Sequence, residues 1–120
     1  MTPKLIVQKF YESDAIINPI TLKKFLHQDV ELQWNSSKGF VKLDFQELMN
    51  LSVEMSIAYT QSRIKISHLL VEKELVSVRY DHIVATIENP TEEMLLAHFM
   101  VIWEIKDEKL FKGFQMSQIL

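Results

Sequence analysis

The chain has 120 residues and a formal net charge of −3, which corresponds to one domain spanning residues 1–120. A slightly acidic chain argues against nucleic acid as a partner, since that needs a cationic surface, and no stretch of about 20 apolar residues is present to cross a membrane. Zero cysteines exclude disulfides and thiolate metal sites and fit a cytoplasmic location, and the start, MTPKLIVQKF, lacks the apolar run and cleavage site of a signal peptide. With only two glycines, glycine-rich phosphate loops are absent too.

Thr2-Pro3 opens a first helix, a hydroxyl cap followed by proline at the first helical position. Ile6, Phe10 and Ile17 mark its apolar face, with Val7, Tyr11 and Asp14 beside it. Asn18-Pro19 repeats the start signal for a short helix through Leu26, burying Ile20, Leu22, Phe25 and Leu26. Over Asp29 to Trp34 the period drops to two, as Val30, Leu32 and Trp34 alternate with Glu31 and Gln33 in a half-buried strand. Asn35 to Gly39 is a turn cluster. Asp44 and Glu47 form a capping-box pair for a third helix, with Leu48, Leu51, Met55 and Tyr59 as its stripe.

The second half reads as four consecutive strands. Ile64, Ile66, His68 and Leu70 alternate with Arg63, Lys65 and Ser67. Glu72-Lys73-Glu74 is a short turn, Leu75 to Ile87 the next strand, and Glu88-Asn89-Pro90-Thr91 a loop. Met94 to Ile105 is almost continuously apolar, which predicts cover on both faces. Asp107-Glu108-Lys109 then turns the chain into Leu110 to Ile119.

This order resembles the NTF2-like, or SnoaL-like, superfamily. The stretch from Asn18 to Val30 looks like the family's short helix running into "DDV" and the first strand. Val76-Ser77-Val78-Arg79-Tyr80 is similar to its "VxVRW" strand, and Ile102 to Leu110 to its "FRDGKI" hairpin, with Glu108 where glycine is usual. The resemblance implies an α+β cone: three N-terminal helices packed on a curved, mainly antiparallel sheet, with a pocket between. Such a fold hosts many functions and licenses none by itself.

Arg79-Tyr80-Asp81 resembles the RxD of limonene-epoxide-hydrolase-type members, in which the acid orients a water and the arginine holds the acid. The second carboxylate of that chemistry falls at Gln115, which cannot serve as a general acid. The base and oxyanion acid of ketosteroid isomerases fall near Trp34 and Val101, neither of which can do that work. A two-residue turn at Lys73-Glu74 sets His68 opposite Arg79, grouping His68, Arg79 and Asp81 as candidate catalytic residues on one face, with His82 and His98 together on the other. The four histidines (His27, His68, His82 and His98) show no metal-ligand spacing, and no cofactor is expected. Tyr11, Trp34, Met55, Tyr59, Phe99, Trp103 and Gln115 are candidate lining residues for an apolar pocket.

The expected function is therefore binding of a small apolar molecule. The alternatives are a pocket enzyme (isomerase, lyase or hydrolase) using Asp81 with Arg79 or His68, and a structural dimerisation module. A homodimer is expected because the helices cover only one sheet face. An apolar set on Met94 to Ile105, with Val76, Val78, Tyr80 and Val84 of the neighbouring strand, is left for a second copy to cover.

Overall fold

A computed structural model describes residues 1–120. Three helices precede most of a six-stranded sheet, and their starts follow from local hydrogen bonding. In α1 (Pro3–Glu12) the Thr2 hydroxyl accepts from the Leu5 N–H at 3.3 Å, satisfying one of the free amides of the first turn. In α2 (Pro19–Phe25) Asn18 Oδ1 accepts from the Ile20 N–H at 3.1 Å. In α3 (Phe45–Ala58) Asp44 and Glu47 each accept from the other's backbone N–H, at 2.9 and 3.1 Å.

Two expectations for this half are corrected. The first helix does not run on to Ile17. The Ser13 N–H and hydroxyl both donate to the Phe10 carbonyl, at 3.2 and 2.6 Å, and a 3-10 turn over Ala15–Ile17 follows. A serine that bonds its own backbone competes with the helix. Ile20, expected to be buried, is 74% exposed, and Leu22 is the buried residue of α2.

The strands are β1 (Leu26–Ser36), β2 (Gly39–Leu43), β3 (Tyr59–Glu72), β4 (Leu75–Thr86), β5 (Glu93–Lys106) and β6 (Lys109–Ile119). The turn cluster at Asn35–Gly39 thus leads into a short strand that the periodicity does not reveal. Gly39 starts β2 at φ 113°, a conformation open to glycine and strained for other residues. Strand order is β2-β1-β6-β5-β4-β3, with β2 and β3 as open edges. All neighbours are antiparallel except β1 and β6, which are parallel. The result is the expected α+β architecture, three helices on a curved, mainly antiparallel sheet.

The helices cover one face only: α1 lies over β3 and β4, and α3 over β1 and β2. Cross-strand partners share a face, so the register decides which residues go inward. Val76 pairs with Trp103 and Val78 with Val101, and all four are buried with Tyr80 in the core. This corrects the expectation that Val76, Val78, Tyr80 and Val84 lie on the outer face. They belong to the helix side, and Val84 is fully buried as well.

Within a single chain, Met94 to Ile105 is covered on one face. Val101, Trp103 and Ile105 are buried, while Met100 and Ile102 are exposed on the other side. On β3 a bulge between Ile66 and His68 interrupts the alternation. An extra residue reverses the facing of everything beyond it. Ile64, Ile66 and Leu69 therefore pack on the core, and Leu70 is exposed.

Candidate functional site

Between the helices and the inner face of β1, β4, β5 and β6 lies a cavity of about 130 Å³ with 16 lining residues, 13 of them hydrophobic. Phe10 and Tyr11 of α1, Leu22 of α2 and Leu48, Leu51 and Met55 of α3 form its roof. Leu32 and Trp34 of β1, Tyr80 and His82 of β4, Phe99 and Trp103 of β5 and Gln115 of β6 form its floor. A more open hollow of about 310 Å³ lies between β2 and α3, and Trp34 and Leu51 line both spaces.

The floor is held by aromatic packing. Tyr80 and Phe99 stack at 5.0 Å between ring centroids with planes 7° apart, and the Tyr11 ring is tilted against Tyr80 at 4.7 Å. Trp103 donates its indole N–H to the Tyr11 hydroxyl at 2.8 Å. That geometry depends on Gly113, the partner of Trp103 on β6. A Cβ at Gly113 would lie 2.6 Å from the Trp103 ring and 2.6 Å from Leu32 Cδ1. Burial pushes both phenols upward: Tyr11 against the opposing hydrogen bond from Trp103, and Tyr80 with a further contribution from its neighbour Tyr11. Both rings stay neutral across the physiological range and act as hydroxyl donors or acceptors.

His82 is 3% exposed. Its Nε2 shares a hydrogen bond with the Ser62 hydroxyl of β3 at 2.7 Å. Burial lowers its pKa to about 4, so the imidazole is neutral at pH 7. Three other polar lining groups have protein partners. Trp34 donates its indole N–H to Ser117 Oγ at 2.8 Å, Trp103 pairs with Tyr11, and the Ser52 hydroxyl donates to the Ala15 carbonyl at 3.0 Å, fixing α3 against the 3-10 turn. Gln115 sits between Trp34 of β1 and Val101 of β5.

Of the residues singled out from sequence, Tyr11, Trp34, Met55, Phe99, Trp103 and Gln115 all stand in the cavity wall. Tyr59 does not; it ends α3 and pairs with Thr86 at the start of β3. The three candidate catalytic residues lie on the opposite face of the sheet. His68 does sit opposite Arg79, but both are exposed, and both reach Ser67 Oγ, at 2.9 and 3.3 Å. Asp81 pairs with His98, whose Nδ1 lies 2.6 Å from Asp81 Oδ1.

The expected grouping of His82 with His98 is therefore corrected. Asp81 and His98 are cross-strand partners and share the outer face, while His82, one residue on, points inward. Tyr80, His82 and Ser52 are the polar wall residues that the motif reading misses. The signal available for Tyr80 and His82 is the inward alternation Val76, Val78, Tyr80, His82, Val84. No group of three His, Asp or Glu side chains is placed to hold a metal ion, and no helix is long and apolar enough to cross a membrane.

No family model matches the chain, and no curated protein matches it in sequence. Solved structures match over nearly its whole length. IdmH of Streptomyces antibioticus, described as a candidate polyketide cyclase, superposes with a TM-score of 0.76 at 11% identity, over 98% of this chain and 92% of that one. A SnoaL-like candidate polyketide cyclase from a Jannaschia species gives 0.71 at 8% identity, over 96% and 85%. An NTF2-like protein of unknown function from Burkholderia pseudomallei gives 0.68 at 14%, over 96% and 90%. The chain has the NTF2-like fold; at these identities the likeness extends to the fold alone.

Proposed function

We propose that this NTF2-like chain binds a small, mostly apolar molecule in the cavity between its helices and its sheet. The observation that carries the reading is the wall itself: a largely hydrophobic enclosure onto which a few polar groups, Tyr11, His82 and Gln115 among them, converge. That is the usual make-up of a small-molecule site. The volume of about 130 Å³ is close to the roughly 150 Å³ that accommodates benzene in an engineered apolar cavity. Titration with toluene tests the reading directly, because Trp34 and Trp103 both stand in the wall and report through their fluorescence. A saturable change is expected, and a strictly linear response would sink the proposal.

A pocket enzyme is the second reading, and His82 favours it. A neutral imidazole in the wall, with one nitrogen held by Ser62, offers a hydrogen-bonding group to a substrate and, with its pKa lowered by burial, only a weak base at pH 7. No carboxylate lines the cavity, so the acid–base roles first considered for Asp81, Arg79 and His68 pass to this residue. Exchange of the α-protons of cyclohexanone in D2O, followed by NMR, should then be accelerated by the protein and lost in His82→Ala. Equal rates with and without protein would remove the reading.

For assembly, a homodimer through the outer face is the proposal. Met100 pairs with Met116 and Ile102 with Phe114 across β5 and β6, and all four are exposed. A contiguous apolar patch of this kind suits a two-fold contact with a second copy. Light scattering at micromolar concentration should give about twice the 14.1 kDa chain mass; the mass of a single chain would refute it.

A further inference from the structure

We infer that the cavity selects an uncharged ring carrying a hydrogen-bond donor beside an acceptor, as in a lactam, and that Gln115 is the residue that reads it. The inference deepens the binding proposal above and rests on it. Its starting point is the polar inventory of the wall. None of the 16 lining residues is Asp, Glu, Lys or Arg. A charged ligand would give up water for a largely apolar wall with no countercharge, at a cost that an apolar body of single-ring size does not offset. The titratable members of the wall do not change this, since Tyr11, Tyr80 and His82 are all neutral at pH 7.

Gln115 is the one carboxamide among the lining residues, and so the one group of the wall that carries two donors and an acceptor in a single plane. It is 7% exposed, and its neighbours on the adjoining strands are Trp34 and Val101, which offer its amide no acceptor or donor from the same face. The indole N–H groups, Ser52 and His82 Nε2 are already bonded to protein, and the Tyr80 hydroxyl and His82 Nδ1 remain as single polar atoms in the same wall. The Gln115 amide takes part in no hydrogen bond to protein. It is not sealed off, because no fully enclosed side-chain nitrogen or oxygen lacks a partner. It therefore opens onto the cavity that it lines.

A primary carboxamide presents two donors and an acceptor in one plane. Its matching partner is a group with the reverse order along one edge, which the N–H and C=O of a ring amide provide. A ligand lacking either would leave part of a buried amide unpaired, and an unpaired buried polar group is expensive.

The test compares four probes by isothermal titration: 2-pyridone, N-methyl-2-pyridone (which has lost the donor), toluene and benzoate. Wild-type protein should bind 2-pyridone at least about tenfold more tightly than its N-methyl analogue, the loss expected from one unmade buried hydrogen bond. Benzoate should not bind. Gln115→Leu should bring 2-pyridone and N-methyl-2-pyridone within about twofold of each other while toluene binds as well or better. Gln115→Asn, which keeps an amide but shortens it, serves if the leucine variant does not fold by circular dichroism, and should also lose the preference.

Equal affinities for the two pyridones in wild type would overturn the inference, and so would tight benzoate binding. A preference that survives in both variants would overturn it as well, and would leave a bound water as the amide's partner. Toluene separates the two levels. If it saturates while the pyridone preference is missing, only the role of Gln115 fails. If toluene does not bind, the cavity reading fails and the inference falls with it.

Discussion

The two faces of the same sheet make an instructive pair. On β4, Val78, Tyr80 and His82 are buried, and the residues between them, Arg79 and Asp81, are exposed and half-buried. The charged outer set carries the motif that resembles epoxide-hydrolase chemistry, yet its partners are one another and solvent: Asp81 with His98, and Arg79 with Ser67. The inner set carries no recognised motif, yet it forms the enclosure. A hydrogen-bonded pair whose side chains are 44% and 38% exposed lies open to solvent and adds little. The buried histidine one residue further on has its protonation changed by its surroundings. Burial in this protein follows which alternation of each strand meets the helices.

Truncation should separate the faces most clearly. Trp103→Ala removes a buried ring from the inner face and its hydrogen bond to Tyr11; a loss of about 3–5 kcal/mol is expected in denaturant melts. Leu70→Ala, on an exposed position of β3 outside the apolar patch proposed for the two-fold contact, should stay below about 1 kcal/mol. Equal losses would mean that the faces do not differ as described.

Acid should act through the inner face next. Burial lowers the His82 pKa to about 4 in the folded chain, from the ordinary imidazole value of 6.5, so the unfolded chain binds its proton more readily. Its contribution is fully present above about pH 6.5 and is lost as pH falls toward 4. At about 1.4 kcal/mol per pKa unit the change is on the order of 3 to 4 kcal/mol. His82→Gln should flatten this part of the stability–pH curve, and an unchanged curve would show that the imidazole is not desolvated in solution.

Gly113→Ala probes the close approach under Trp103 and should cost about 1–3 kcal/mol by overpacking. Gly39 has open space around its missing Cβ, so an alanine there should meet only the strain of its positive φ, about 1 kcal/mol. Thermal melts of the two variants compare packing with backbone strain.

The smallest effects belong to the outer face. Asp81→Asn should cost less than about 1 kcal/mol and leave toluene affinity unchanged. A clear loss of affinity would return Asp81 to the site.

The amino-acid sequence by itself determined the features that rest on neighbours along the chain. Thr2, Asn18 and Asp44 announce helix starts because a cap is a bond to an amide two or three residues on. The hairpin turns between β3, β4, β5 and β6 are equally local, and so is the His68–Arg79 register that follows from the first of them. Strand β2 escapes because four of its five residues are exposed and no apolar alternation marks it.

Which face of each strand turns inward was decided by the tertiary structure alone. On β5 both alternations are apolar, so pattern cannot choose between them. On β3 the bulge at Ser67 reverses the alternation midway. The cavity has the same origin: Gln115 and His82 are 33 positions apart in the chain and reach one wall only through the pairing of β4, β5 and β6. Caps and turns are bonds between near neighbours, which sequence can display. A cavity wall is a relation among seven helices and strands, and only their packing creates it.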